Sequence, residues 1–187
     1  MIDGDILALD LGQTSGWALV SKRRPPLVGT IVLSNTGKDG QFGYRWNELE
    51  TRLDALIAEH PSIAEIYYEA PVTRMGPDAS LAAMMVLMGY AVCAEKAAAR
   101  VRKPISLGDL SSVRLQVLGK GRFGKRTSTH DPNKDAAKAW CERHGLPAEN
   151  EHVADALVLA EYAANCQGNG WSLMQTKWYG DQVRARA

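Results

Sequence analysis

The chain has 187 residues, 45% of them hydrophobic, with a formal net charge of +1, which is enough for one proper core and favours a single domain over two. Its three cysteines, Cys93, Cys141 and Cys166, are odd in number and widely spaced, so they exclude a disulfide framework or zinc knuckle and fit a reducing compartment. The start, Met1-Ile2-Asp3-Gly4-Asp5, is acidic, unlike a secretory signal, and the uncharged run 79–94 falls short of the roughly 20 residues that span a bilayer, so no membrane association is expected.

In chain order, Ile6 to Leu11 is apolar on both faces, as in an interior strand, and Gly12-Gln13-Thr14-Ser15-Gly16 supplies a tight reversal into the strand Trp17 to Val20. Lys22-Arg23-Arg24-Pro25-Pro26 marks an exposed turn before a third strand, Leu27 to Leu33, which completes a meander. From Phe42 to Glu59 the period changes: Trp46, Leu49, Leu53, Leu56 and Ile57 recur at three and four residues and predict an amphipathic helix. Ile63 to Glu69 is again a strand. A long helix is expected from about Asp78 to Val101, with Leu81, Met84, Met85, Met88 and Val92 as an apolar stripe for the core or a subunit interface. A short strand near Ile105, a helix from Leu110 to Leu118, a glycine-rich basic loop from Gly119 to Pro132, and helices from about Asn133 to Gly145 and Asn150 to Cys166 follow. Residues 167–187 show no clean period and are expected as a tail to a domain spanning 1–166; Trp171, Trp178 and Tyr179 suit anchoring of that tail to the body.

Three acids stand at the ends of core elements. Asp10 closes the first strand, Glu69 closes the fourth, and Asp155 lies in His152-Val153-Ala154-Asp155-Ala156-Leu157, on the side of the last helix that belongs inside. No basic residue adjoins any of them in sequence, so each is costly unless protonated or neutralised by a cation. Carboxylates suit Mg²⁺, and two such ions can bind both sides of a scissile phosphate. His152, one turn from Asp155, fits a metal ligand or a proton handler, and equally a packed helix-terminal histidine.

These residues carry a resemblance. Strand-Asp10-Leu11-Gly12 with Thr14 and Gly16, then Ile66-Tyr67-Tyr68-Glu69, then His152-Val153-Ala154-Asp155 resemble the RuvC family of Holliday junction resolvases, in the RNase H-like superfamily, and look most like its phage or prophage branch. The resemblance implies an α/β fold with a mixed five-stranded sheet, antiparallel meander plus parallel strands, flanked by helices. It further implies a homodimer in the cytoplasm of a bacterial or phage-infected cell, making paired Mg²⁺-dependent nicks in branched DNA that leave 5′-phosphates, with Mn²⁺ able to replace Mg²⁺. On this resemblance Asp10, Glu69, His152 and Asp155 are the catalytic metal ligands and Lys134 lies near the DNA. Where relatives often carry an aromatic three residues after the glutamate this chain has Val72, for which Arg74 and Met75 are the nearby substitutes.

Gly119-Lys120-Gly121-Arg122-Phe123-Gly124 matches a dinucleotide-binding pattern literally, but it follows a helix and opens no βαβ unit. Lys120, Arg122, Lys125 and Arg126 suit phosphate contacts instead, with Phe123 able to stack on a base. Three other functions share parts of this pattern: an ATP-using phosphotransferase, which needs two such domains; a non-catalytic DNA-binding protein; and a nuclease for flaps or RNA-DNA hybrids.

Overall fold

The computed structural model describes residues 4–34, 42–71, 80–125, 127, 130–166 and 170–186. Strands β1 (Asp5–Asp10), β2 (Thr14–Val20), β3 (Leu27–Val32), β4 (Ile63–Glu69) and β5 (Ile105–Gly108) form one sheet in the order β3-β2-β1-β4-β5. The first three are antiparallel, β4 lies parallel to β1, and β5 lies parallel to β4, which is the expected mixed topology.

Alternation along β1 divides the core. Leu7 and Leu9 face α1 (Gly43–Glu59) and α2 (Leu81–Arg100), where they meet Leu49, Leu53, Ala94 and Ala97. Ile6 and Ala8 face the opposite way, toward Val153, Ala156 and Leu157 of α5 (Glu151–Cys166). A strand covered on both faces has no polar side to show, hence its unbroken apolar run. The remaining helices are α3 (Leu110–Leu118), α4 (Pro132–Arg143) and α6 (Lys177–Arg186).

Helix α5 is the axis of the second core layer. All of 153–164 is buried, because the sheet covers one side while α4 and the end of the chain cover the other. Ala154, Ala156, Ala160 and Ala163 keep it slim enough to lie close against the strands.

Two expectations change. Of the two roles expected for the α2 stripe, core or subunit interface, the core role does not hold: Leu81, Met85, Met88 and Val92 are exposed, and the buried face is Tyr90, Ala91, Cys93, Ala94, Ala97 and Ala98. Small residues won because the helix crosses α1 closely, with Gly89 against the Trp46 indole. Although α2 is long and apolar enough to cross a membrane by composition, its second half is built into this core and its Lys96 and Arg100 pair with Glu50 and Asp54 of α1. Second, the end of the chain is ordered. A short 3-10 turn at Leu173–Gln175 leads into α6, and Trp171, Leu173 and Trp178 join the α5 core. The buried Glu161 carboxylate on α5 accepts from the Ser172 hydroxyl at 2.6 Å and the Leu173 N–H at 2.7 Å. Trp178 donates its indole N–H to the Ser21 carbonyl at 3.2 Å. Periodicity misses α6 because it carries one buried anchor, Trp178, where a stripe needs several.

Trp178→Ala is therefore expected to destabilise the fold by about 3 kcal/mol, the scale for emptying a buried aromatic site, read as a lower midpoint in urea unfolding. An unchanged midpoint would mean the anchor contributes nothing.

Candidate active site

Parallel pairing of β1 with β4 in the register Leu9↔Tyr68 brings the next residues, Asp10 and Glu69, out together at the C-terminal edge of the sheet. Chain exits at such an edge leave room for a ligand. After Asp10 the backbone turns through Gly12, whose N–H donates to the Ser15 hydroxyl at 3.0 Å while that hydroxyl donates back to the Gly12 carbonyl at 2.9 Å.

Helix α5 completes the group from below the sheet. Its first turn is capped by Asn150, whose Oδ1 accepts from the N–H groups of His152 and Val153 at 3.0 Å each. Gly16 on β2 is what admits this turn: a Cβ there would fall on the His152 carbonyl. The consequence is that His152 Nδ1 lies 3.0 Å from Asp10 Oδ2, although 142 positions of sequence separate them. Asp155, one turn further, is 9% exposed.

Burial and mutual repulsion set the electrostatics. Withdrawal from water pushes the Asp155 carboxyl up to about 7, with Asp10 adding to the rise, while Arg114, Lys134 and His152 pull against it. Glu69 is driven up to about 8, first by burial and then by Asp10 and Asp155, again opposed by Arg114 and Lys134. Burial also lifts the Cys141 thiol to about 12, with Asp155 contributing from across the α4–α5 contact. Glu69 thus feels both other acids and Asp155 feels Asp10, a pattern that clusters at functional sites.

The two cations amend an expectation. In sequence the acids have no basic neighbour, but the fold delivers Arg114 from α3 and Lys134 from α4. Arg114 shares a small cavity with Glu69 and Asp155, and its buried Nε has no hydrogen-bond partner. Lys134 Nζ lies 2.9 Å from Glu151 Oε1, and that hydrogen bond holds the Glu151 carboxyl below its usual range; the same oxygen is 3.8 Å from His152 Nε2. Arg114 is missing from the site residues expected on sequence grounds, although the sequence holds a signal for it. It follows Val113, the buried residue of α3, and a cation on the inner side of a short apolar helix calls for an acid just as Asp155 calls for a cation.

On the other side of Glu69 a cleft of about 70 Å³ is lined by Asp10, Glu69, Ala70, Pro71 and Leu87. Among the described residues no three of the His, Cys, Asp and Glu side chains are grouped as they stand to hold a metal ion; Asp10 is turned toward His152.

The expected basic loop joins α3 to α4. It leaves α3 through Gly119 at φ +79°, and Phe123 is held by its N–H to Asn133 Oδ1 at 2.9 Å, with the Lys120 ammonium 5.9 Å from its ring centroid. Lys120, Arg122 and Lys125 are exposed. Arg100, at the end of α2, is by contrast ion-paired to Glu50 on the α1–α2 face. Val72, Arg74, Met75 and Arg126 lie outside the described residues.

No family model and no curated protein matches the sequence. Solved structures do share the architecture. RuvC of Thermus thermophilus superposes with a TM-score of 0.65 at 14% identity, over 90% of this chain and 99% of that one. The T. thermophilus RuvC in complex with a Holliday junction substrate gives 0.62 at 13%, over 91% and 99%. The yeast mitochondrial Holliday junction resolvase Ydc2 gives 0.51 at 13%, over 98% and 82%. The fold class is thereby defined as RNase H-like. Within it, the described residues have the RuvC fold: a mixed five-stranded sheet flanked by six helices.

Both raised carboxyls lie above the ordinary unfolded values near pH 4, so between about pH 4 and pH 8 the folded chain binds more protons than the unfolded one and loses stability as pH rises. In EDTA the melting temperature is expected to fall from pH 5 to pH 8. Asp155→Asn, which cannot ionise, should flatten that slope and melt about 3 °C or more above the wild type at pH 8. Calorimetry at several pH values checks this, and a wild-type melting point that climbs across the window contradicts it.

Proposed function

We propose that this protein is a divalent-metal-dependent endonuclease that cleaves branched DNA, with the four-way Holliday junction as its substrate, leaving 5′-phosphate ends. One juxtaposition carries the proposal: carboxylates from two parallel strand ends and one buried helix, an imidazole, and two cations meet at a single edge of the sheet. The fold neighbours support the substrate class, since two of them are described with Holliday junctions.

The donor set suits Mg²⁺, a hard ion that takes oxygen ligands. Burial leaves Asp155 and Glu69 reluctant to ionise, a cost that a bound dication removes. Asp10, Glu69, Asp155 and His152 would hold two such ions, with Mn²⁺ as a substitute. When bound there, such ions would supply charge compensation for the scissile phosphate and would acidify water.

The chain's own groups do the rest. Arg114 and Lys134 are poised to bind phosphate oxygens; Arg114 has an unused buried donor, and Lys134 needs only to exchange Glu151 for DNA. His152 has its ring oriented by the contact of Nδ1 with Asp10. Lys120, Arg122 and Lys125 extend the positive surface along α3 and α4, and Phe123 offers a ring for stacking.

Two cuts in one junction require two such sites, and the outer face of α2 supplies a way to pair them. Leu81, Met85, Met88 and Val92 are exposed at spacings of four, three and four residues, which is the seam of a two-stranded helical contact. A homodimer joined along α2 is therefore part of the proposal.

Purified protein with Mg²⁺ or Mn²⁺ is expected to cut a four-way junction and leave linear duplex intact. Asp10→Asn and Asp155→Asn should each lower the rate by at least about 10³-fold while junction binding persists, the scale of loss when charge stabilisation in a transition state is removed. Flap and RNA-DNA hybrid substrates run in parallel, and preferential cutting of either would reassign the substrate; cutting that survives both variants would remove the site. For the dimer, Met88→Glu is expected to halve the mass seen by light scattering, and a wild-type chain that runs as a monomer at micromolar concentration rejects the seam.

A further inference from the structure

The first turn of α5 carries His152 and Asp155, and besides the His152 contact to Asp10 a second side-chain hydrogen bond ties this turn to the far edge of the sheet, away from the strands that carry the acids. Both ends of the Asn150 amide are engaged. Its Oδ1 accepts from the His152 and Val153 N–H groups at 3.0 Å each, and its Nδ2 donates to the Thr30 hydroxyl at 2.9 Å. Thr30 is on edge strand β3, directly across from Gly16 in the β2–β3 register, and Gly16 is where the His152 carbonyl nests. His152 is thus fixed by its carbonyl side on β2, by its N–H through Asn150 to β3, and by its ring on Asp10 at 3.0 Å.

We propose that Thr30 and Asn150 form a clasp that positions His152, so that strand β3, which supplies no group to the acid cluster, sets how well the cluster takes up a divalent ion. The inference rests on the metal-site reading above. Thr30 and Asn150 are positioning residues: neither touches the reacting atoms. The chemistry demands an amide at 150, because serine or aspartate also caps a helix but lacks a side-chain N–H to reach across to β3. It demands a hydroxyl at 30, because valine has the same shape with no acceptor.

The test compares wild type, Thr30→Val, Thr30→Ser and Asn150→Asp by two readouts. One is the Mn²⁺ concentration that half-saturates the metal-induced rise in melting temperature. The other is the ¹⁵N signal pair of the His152 ring without metal. Loss of a group that orients a ligand weakens metal binding by about 10- to 100-fold, so Thr30→Val is expected to raise the half-saturating Mn²⁺ at least tenfold and to average the two ring nitrogens. Thr30→Ser is expected to behave as wild type. Asn150→Asp keeps the helix cap and should match Thr30→Val, which separates loss of the clasp from loss of the helix. If Thr30→Val keeps wild-type Mn²⁺ affinity and wild-type ring signals, the clasp is refuted. If the wild type itself shows no Mn²⁺ response, the metal site is refuted, and the ring signals alone decide the clasp.

Discussion

The closeness of α5 to the sheet is the constraint on which the molecule is built. Asp155 reaches Glu69 and Asp10 electrostatically only because the helix lies nearly backbone to backbone on β2, and that is possible only where side chains are small or missing. Gly16 removes the last obstacle at the first turn, and alanines on both surfaces, Ala8 and Ala18 on the sheet and Ala154, Ala156 and Ala160 on the helix, continue the fit. Apolar burial supplies the driving force for this contact, and the same burial raises the cost of the charges carried with it.

That cost is the link between fold and chemistry. A carboxylate in water has no reason to collect a metal ion or a guanidinium, whereas one withdrawn from water and facing two others does. Arg114 and Lys134 offset part of the negative field, but they stand beside the acids without closing bidentate pairs on them. The compensation is partial, and both the Asp155 and Glu69 carboxyls stay raised. A fully paired site would be stable and inert.

Much of this is legible in the residues. The runs Ile6 to Leu11 and Ile63 to Glu69 announce strands buried on both faces, and the acids that close them mark the edge of the sheet by their position alone. Contacts made only in three dimensions leave no such trace. Arg114 sits 45 positions from Glu69 and 41 from Asp155 and looks in sequence like any other cation, whereas Arg100 belongs to an ion-pair group on another face. An inward stripe on α2 is the natural expectation because large apolar residues normally point to the core; here Tyr90 does so together with the small Ala91, Cys93, Ala94, Ala97 and Ala98. Asn150 and Thr30 give no sign of one another, being joined by a single hydrogen bond across 120 positions.

The burial of Trp171, Leu173 and Trp178 against α5 bears on how the polypeptide matures. These side chains follow every acid of the cluster in the order of synthesis, and the Ser172 and Leu173 donors that satisfy the buried Glu161 leave the ribosome after it. Until they emerge, that flank of α5 is uncovered and the Glu161 carboxylate lacks these two donors.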